Sequence, residues 1–168
     1  ETAAPAPAAP AGTGSRTPIL APVQGRAVPL QQVPDPTFAQ GIVGNGAAID
    51  PPREIIDAVA PISGKVLQML PHAYIIVSDD NVGVLVHLGL DTVQLKGEGF
   101  TALVKQGDAV TAGQPVITYD VPAVVASGRN PIIPVIVMDK KADDIALADV
   151  ITAGGQLSAE QEMFTVTS

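Results

Sequence analysis

From about Ile19 onward, short apolar-rich runs such as Ala73–Ser78 and Val82–His87 are broken again and again by turn residues. The sixteen glycines and sixteen prolines are scattered rather than clustered, which predicts many short strands joined by tight turns. Helical periodicity is scarce. It predicts one turn near Pro36–Gln40, a short helix at Pro122–Ser127 that stops at Gly128, and a turn or short helix within Ala142–Ala148. Residues 1–18 are almost entirely Ala, Pro, Gly, Thr and Ser, cannot bury a core, and read as an extended linker. The expected organisation is therefore a linker over 1–18 and one all-β domain over 19–168.

The pattern also repeats. Ala21-Pro22-Val23-Gln24-Gly25-Arg26-Ala27-Val28 resembles Ala60-Pro61-Ile62-Ser63-Gly64-Lys65-Val66-Leu67. Gly107-Asp108-Ala109-Val110-Thr111-Ala112-Gly113-Gln114 resembles Ala148-Asp149-Val150-Ile151-Thr152-Ala153-Gly154-Gly155. Two copies of each unit predict two interlocked halves related by a pseudo-twofold axis, not a solenoid.

Composition narrows the function. With 46% hydrophobic and 15% charged residues in 168, the chain can build a core. It has no cysteine, which removes disulfides and thiolate zinc sites and favours a reducing compartment. No apolar run approaches the roughly 20 residues of a membrane span. The first residues lack the basic head and apolar middle of a secretory signal. A net charge of −8 argues against nucleic acid and anionic membrane as partners and favours a basic protein partner.

The chemistry concentrates on the only two histidines, His72 and His87. His87 closes an apolar run and is followed by Leu88, Gly89, Leu90 and Asp91. If Ala73–Ser78 and Val82–His87 form a hairpin whose turn centres on Asp79-Asp80, Ser78 faces Asn81 and His72 faces His87. Directly opposed residues have Cβ atoms roughly 4.5–5.5 Å apart, close enough for the rings to touch. Three uses fit two such rings. They can be satisfied structural histidines. They can be two ligands of a zinc site that needs a further ligand. Or one can attack phosphorus while the other hydrogen-bonds the incoming oxygens. No nucleotide-binding glycine motif is present, so any phosphate handled comes from a protein.

The stretch Gly83-Val84-Leu85-Val86-His87-Leu88-Gly89-Leu90-Asp91-Thr92-Val93, continuing to Phe100, resembles the glucose-type enzyme IIA of the bacterial sugar phosphotransferase system. So do Val33–Phe38, Ile42–Ile49, Ala60–Gly64 and His72-Ala73-Tyr74, in order and spacing. The resemblance covers roughly residues 20–168. It implies an antiparallel β-sandwich, a barrel-like duplicated hybrid motif with a few short helical turns. It implies a phosphotransferase component in which His87 accepts a phosphoryl group on Nε2 from the phosphohistidine of HPr. His72 steadies that group, which then passes to a cysteine of a IIB domain serving a membrane IIC domain. Asp35 and Asp91 match acids beside the family's active site, suited to an arginine of HPr. Val33, Phe38, Val43, Leu88 and Val93 are candidates for an apolar docking ring, and Gly89 for close backbone approach. No cofactor is required, and zinc at His72 and His87 would need a partner's ligand. A cytoplasmic location follows, with the linker suited to tethering the domain to a permease. One departure stands out: many members carry a threonine where this chain has Leu70, which cannot hydrogen-bond through its side chain.

Other readings compete. The turn Lys105–Gln114 resembles those of biotinyl and lipoyl carrier domains, but Lys65, Lys96 and Lys105 lack the flanking residues that such a lysine needs. A zinc peptidase of related fold would need more than two histidines. A regulatory protein whose phosphorylation state gates other proteins is compatible with the phosphocarrier reading.

Overall fold

Short β-branched runs form strands only when they pair, and here the pairing is antiparallel throughout. The computed structural model describes residues 16–34, 44–78, 82–90, 92–138, 145–147, 151, 154–158 and 161–167. Among them the strands are β1 (Arg16–Leu20), β2 (Gly25–Pro29), β3 (Gly44–Asp50), β4 (Ile55–Val59), β5 (Gly64–Leu70), β6 (Ala73–Val77) and β7 (Gly83–His87). There follow β8 (Phe100–Ala102), β9 (Ala109–Val110), β10 (Pro115–Asp120), β11 (Ile133–Met138), β12 (Ile145–Leu147), β13 (Gln156–Leu157) and β14 (Glu162–Thr167). An eight-stranded sheet runs β13-β2-β3-β11-β7-β6-β5-β9, beside two three-stranded sheets, β4-β10-β8 and β1-β14-β12.

The duplication is visible in the main chain. Leu20 N–H donates to the Pro61 carbonyl, and Val59 N–H donates to the Pro22 carbonyl, reciprocal bonds between the two Ala-Pro-aliphatic units. Ala27 N–H reaches Gly155 as Val66 N–H reaches Asp108, and Ala21 reaches Gln161 as Ala60 reaches Gln114. Gln114 and Gln161 each accept a backbone amide three residues upstream, from Thr111 and Ser158. The second repeat therefore aligns Gly107–Gln114 with Gly154–Gln161, not with Ala148–Gly155 as the residue pattern suggested. Hydrogen-bond roles, not residue likeness, set the alignment.

Sheet alternation divides the core. Val84 and Val86 of β7 and Val135 and Val137 of β11 face the main cluster with Tyr74, Ile76 and Phe164. Ile136 faces the opposite side, where Val28, Leu30, Val33, Ala48, Leu90 and Ile132 form a second cluster and Leu85 packs at its margin. His87 shares the Leu85 face.

The helix α1 (Val121–Ala126) starts where Asp120 accepts the Ala123 amide and ends before Gly128, close to the expected span. Two expectations need correction. Strand β1 takes in Arg16, Thr17 and Pro18, which composition had placed in the linker; pairing with β14 recruits them. Ile145–Leu147 is a strand, not a helical turn, because it pairs with β14 through Ile145 opposite Val166. The turn expected at Pro36–Gln40, and residues 142–144 and 148, lie outside the described residues.

Candidate functional site

His87 is the last residue of β7. Beyond it Leu88 plunges into the main core with no exposed surface, and the chain turns at Gly89 with φ of +86°. A side chain at that φ is strained, and its Cβ would lie 2.6 Å from Thr92 Cγ2 and 3.1 Å from the Tyr119 hydroxyl. This conformation lets the Gly89 carbonyl swing back to His87, 2.6 Å from Nδ1. A carbonyl only accepts, so Nδ1 carries the proton and the lone pair of the neutral ring resides on Nε2.

His72 arrives from the other side. Leu70 and Ala73 pair across the two-residue turn Pro71-His72, and Ala73, not His72, stands opposite His87. The expected register is therefore off by one residue. The rings meet nonetheless, with centroids 5.0 Å apart and planes at 69°. A turn residue is exempt from strand alternation, so His72 can lean toward His87 from beyond the strand end. Its carbonyl accepts the Leu88 amide at 2.7 Å. His72 is buried, and burial followed by the charge of His87 pushes its pKa below the ordinary 6.5. It is thus held as a neutral imidazole near neutral pH, able to donate one N–H.

The loop after His87 is braced by residues that the motif reading passed over. The Thr92 hydroxyl, fully buried, donates to the Leu88 carbonyl at 2.8 Å. Leu90 N–H donates to the Asn130 carbonyl at 2.8 Å, and the Asn130 side chain accepts Ile132 N–H at 3.0 Å. Tyr119, stacked on Phe100, donates its hydroxyl to the Pro131 carbonyl. A buried threonine four residues after the carbonyl it binds is a local pattern that sequence can suggest. Asn130 and Tyr119 are distant in the chain and could not be found that way.

Other expected site residues fare differently. Val33 and Leu88 are 3% and 0% exposed and serve the two cores, so neither can belong to a docking ring. Gly89 is enclosed by Thr92, Tyr119 and Asn130 of its own chain, which leaves no gap there for a partner's backbone. Asp35, Phe38, Val43, Asp91 and the side chain of Val93 lie outside the described residues. Leu70, 38% exposed, stands in the cross-strand row Leu70–Ala73–His87. With Ile75 and Leu85 it lines an apolar dimple of about 20 Å³ beside the imidazole pair. Among the described residues no group of three or more His, Asp or Glu converges as a metal site, and no helix is long and apolar enough to cross a membrane.

The sequence and the fold have close counterparts. Residues 17–142 match the family of the phosphoenolpyruvate-dependent sugar phosphotransferase system, EIIA 1. The glucose-specific EIIA component of Halalkalibacterium halodurans is 38% identical over 150 residues, covering 88% of this chain and 84% of that protein. The corresponding component of Oceanobacillus iheyensis is 34% identical over 145 residues, covering 83% of this chain and 87% of that one. The glucose permease IIA of Mycoplasma capricolum superposes with a TM-score of 0.81 at 30% identity, over 90% of this chain and 96% of that chain. Fold, sequence and family match agree: the chain belongs to the EIIA type 1 family of the sugar phosphotransferase system.

Proposed function

We propose that this phosphocarrier takes its cargo on Nε2 of His87. The bond from Nδ1 to the Gly89 carbonyl carries the reading, because it places the lone pair on the other nitrogen. That nitrogen attacks the phosphorus of a phosphohistidine on HPr. The donor's P–N bond breaks, and its electron pair returns to the donor ring. In the second step a cysteine thiolate of a IIB domain attacks the same phosphorus, and Nε2 recovers its lone pair. Both transfers have loose transition states in which positioning and charge stabilisation dominate. His72, with ring centroid 5.0 Å from that of His87, donates its N–H to a phosphoryl oxygen.

The proposed partner surface surrounds His87. Leu70, Ile75 and Leu85 supply the apolar contact beside His87. Asp35 and Asp91 supply carboxylates for an arginine of HPr, in a chain whose net charge of −8 steers basic partners toward it. The names of the relatives, glucose-specific EIIA components, point to glucose or a similar sugar as the final acceptor; the proposed route runs through IIB and a membrane IIC domain, at a cytoplasmic location. Zinc would find two ligands in the imidazole pair and would need a partner's carboxylate as a further one. A regulatory role through phosphorylation state is compatible with the same surface.

The test is direct. Incubated with enzyme I, HPr and phosphoenolpyruvate, the protein is expected to gain one acid-labile phosphoryl group, lost in His87→Ala. Mass spectrometry showing no such adduct, or an adduct that survives the substitution, would overturn the assignment.

A further inference from the structure

We propose that Thr92 is a positioning residue for the transfer, acting through the main chain to hold His87 in the tautomer that can attack; this rests on the phosphocarrier reading of His87. Two successive peptide units separate His87 from its acceptor. The Leu88 amide belongs to the peptide before them and is tied to the His72 carbonyl at 2.7 Å. The Leu88–Gly89 peptide presents its carbonyl to the Thr92 hydroxyl at 2.8 Å. The Gly89–Leu90 peptide points its N–H at the Asn130 carbonyl, 2.8 Å away, and its carbonyl at His87 Nδ1, 2.6 Å away. The N–H and C=O of a trans peptide point in opposite directions, so this plane spans the gap between Asn130 and His87 like a strut.

Asn130 contributes to the strut through its main-chain carbonyl, whereas Thr92 contributes through a side chain that substitution can alter directly. Thr92 acts twice. Its hydroxyl sets the rotation of the peptide before Gly89. Its methyl occupies the space where a Gly89 side chain would stand, 2.6 Å from that Cβ position. Glycine is the residue with the widest choice of backbone angles, so an unbraced glycine here could turn its carbonyl away from the ring. The Nδ1 proton would then lose its acceptor, and the tautomer protonated on Nε2, which cannot attack through that nitrogen, would gain population. The proposal assigns the orienting effect to the hydroxyl and only packing to the methyl.

The experiment compares wild type, Thr92→Val and Thr92→Ser in the full chain, after circular dichroism and amide NMR spectra establish the fold. Two quantities are read. The first is the His87 tautomer, from imidazole nitrogen-15 shifts of the unphosphorylated protein. The second is the single-turnover rate of phosphoryl acceptance from phospho-HPr. Thr92→Val is expected to mix the tautomers and slow acceptance roughly tenfold, about what the loss of one orienting hydrogen bond supplies. Thr92→Ser is expected to keep the wild-type tautomer and a rate within about twofold. An unchanged tautomer in Thr92→Val overturns the proposal. A tautomer shift in Thr92→Ser also overturns it, by placing the effect in the methyl. If Thr92→Val does not fold, slow exchange of the Thr92 hydroxyl proton in the wild type, together with an unperturbed Thr92→Ser, sustains the proposal; a rapidly exchanging hydroxyl overturns it. The tautomer reading needs no phosphate donor. Failure of phosphorylation in the wild type would therefore refute the carrier role without being confused with failure of the Thr92 brace.

Discussion

The carbonyl of His72 accepts the amide of Leu88 at 2.7 Å, so the two histidines are joined by main chain as well as by facing rings. Leu88 follows His87 directly, and its side chain is anchored in the main core. Any movement of the Pro71-His72 turn is therefore transmitted to the residue adjoining the proposed nucleophile. The rings hold their spacing because the backbone beneath them is stitched, not because imidazoles attract strongly.

Replacing Gly89 by alanine should damage both fold and chemistry. The positive φ and the 2.6 Å approach to Thr92 Cγ2 together should cost about 2–4 kcal/mol of stability. Urea denaturation reads that loss. Phosphoryl acceptance should fall even at temperatures where the variant stays folded, since relief of the clash turns the carbonyl that orients His87.

His72→Gln should still accept phosphate, because His87 and its tautomer bond remain. Onward transfer should slow by roughly a hundredfold, the scale of losing one donor to developing charge. Rapid-quench measurement of transfer to IIB decides it; an unchanged rate would remove His72 from the mechanism.

Stability should depend on pH through His72. Its pKa is lowered in the folded protein below the ordinary 6.5, so the unfolded chain binds the proton more tightly. The contribution of the neutral ring is present in full above 6.5 and is lost progressively as pH falls from 6.5 through the lowered folded value. Denaturation midpoints across that window should decline toward acid, and less steeply in His72→Gln, which has no proton to gain.

Tyr74→Phe separates scaffold from site. The buried Tyr74 hydroxyl donates to the Val59 carbonyl at 2.8 Å, linking β6 to β4 across the main core. Removing it should cost about 1–2 kcal/mol by leaving that carbonyl without its partner. Phosphoryl acceptance by the folded fraction should be unchanged, as the hydroxyl lies on the face of β6 away from the imidazoles. A slowed reaction would show that the sheet transmits strain to the site.

Much of this arrangement was legible in the residues, and the errors have physical causes. The two histidines and the glycine after them stood out because an imidazole in an apolar strand needs a partner. The hairpin register came out one residue wrong, since turn residues around Asp79-Asp80 permit more than one loop length. The ring pairing survived because His72 sits in a turn. Val33 and Leu88 looked like surface candidates beside the motif; only the second core and the inward step after β7 reveal them as buried. Ile145–Leu147 has a local composition that suits a helical turn, and long-range pairing with β14 overrides it. The contributions of Asn130 and Tyr119 depend on chain crossings that no local pattern encodes.

The group that steers His87 is a neutral peptide dipole, where many enzymes use a carboxylate. An acid in that position would add negative charge beside an arriving dianion, in a protein already carrying a net charge of −8. The carbonyl orients the ring without repelling its cargo and has no proton of its own to gain or lose as conditions acidify. Nor can one amino-acid replacement erase it. The vulnerability moves instead to the shape of the bend at Gly89, where a single added carbon would be enough to misdirect the phosphate on the proposed route.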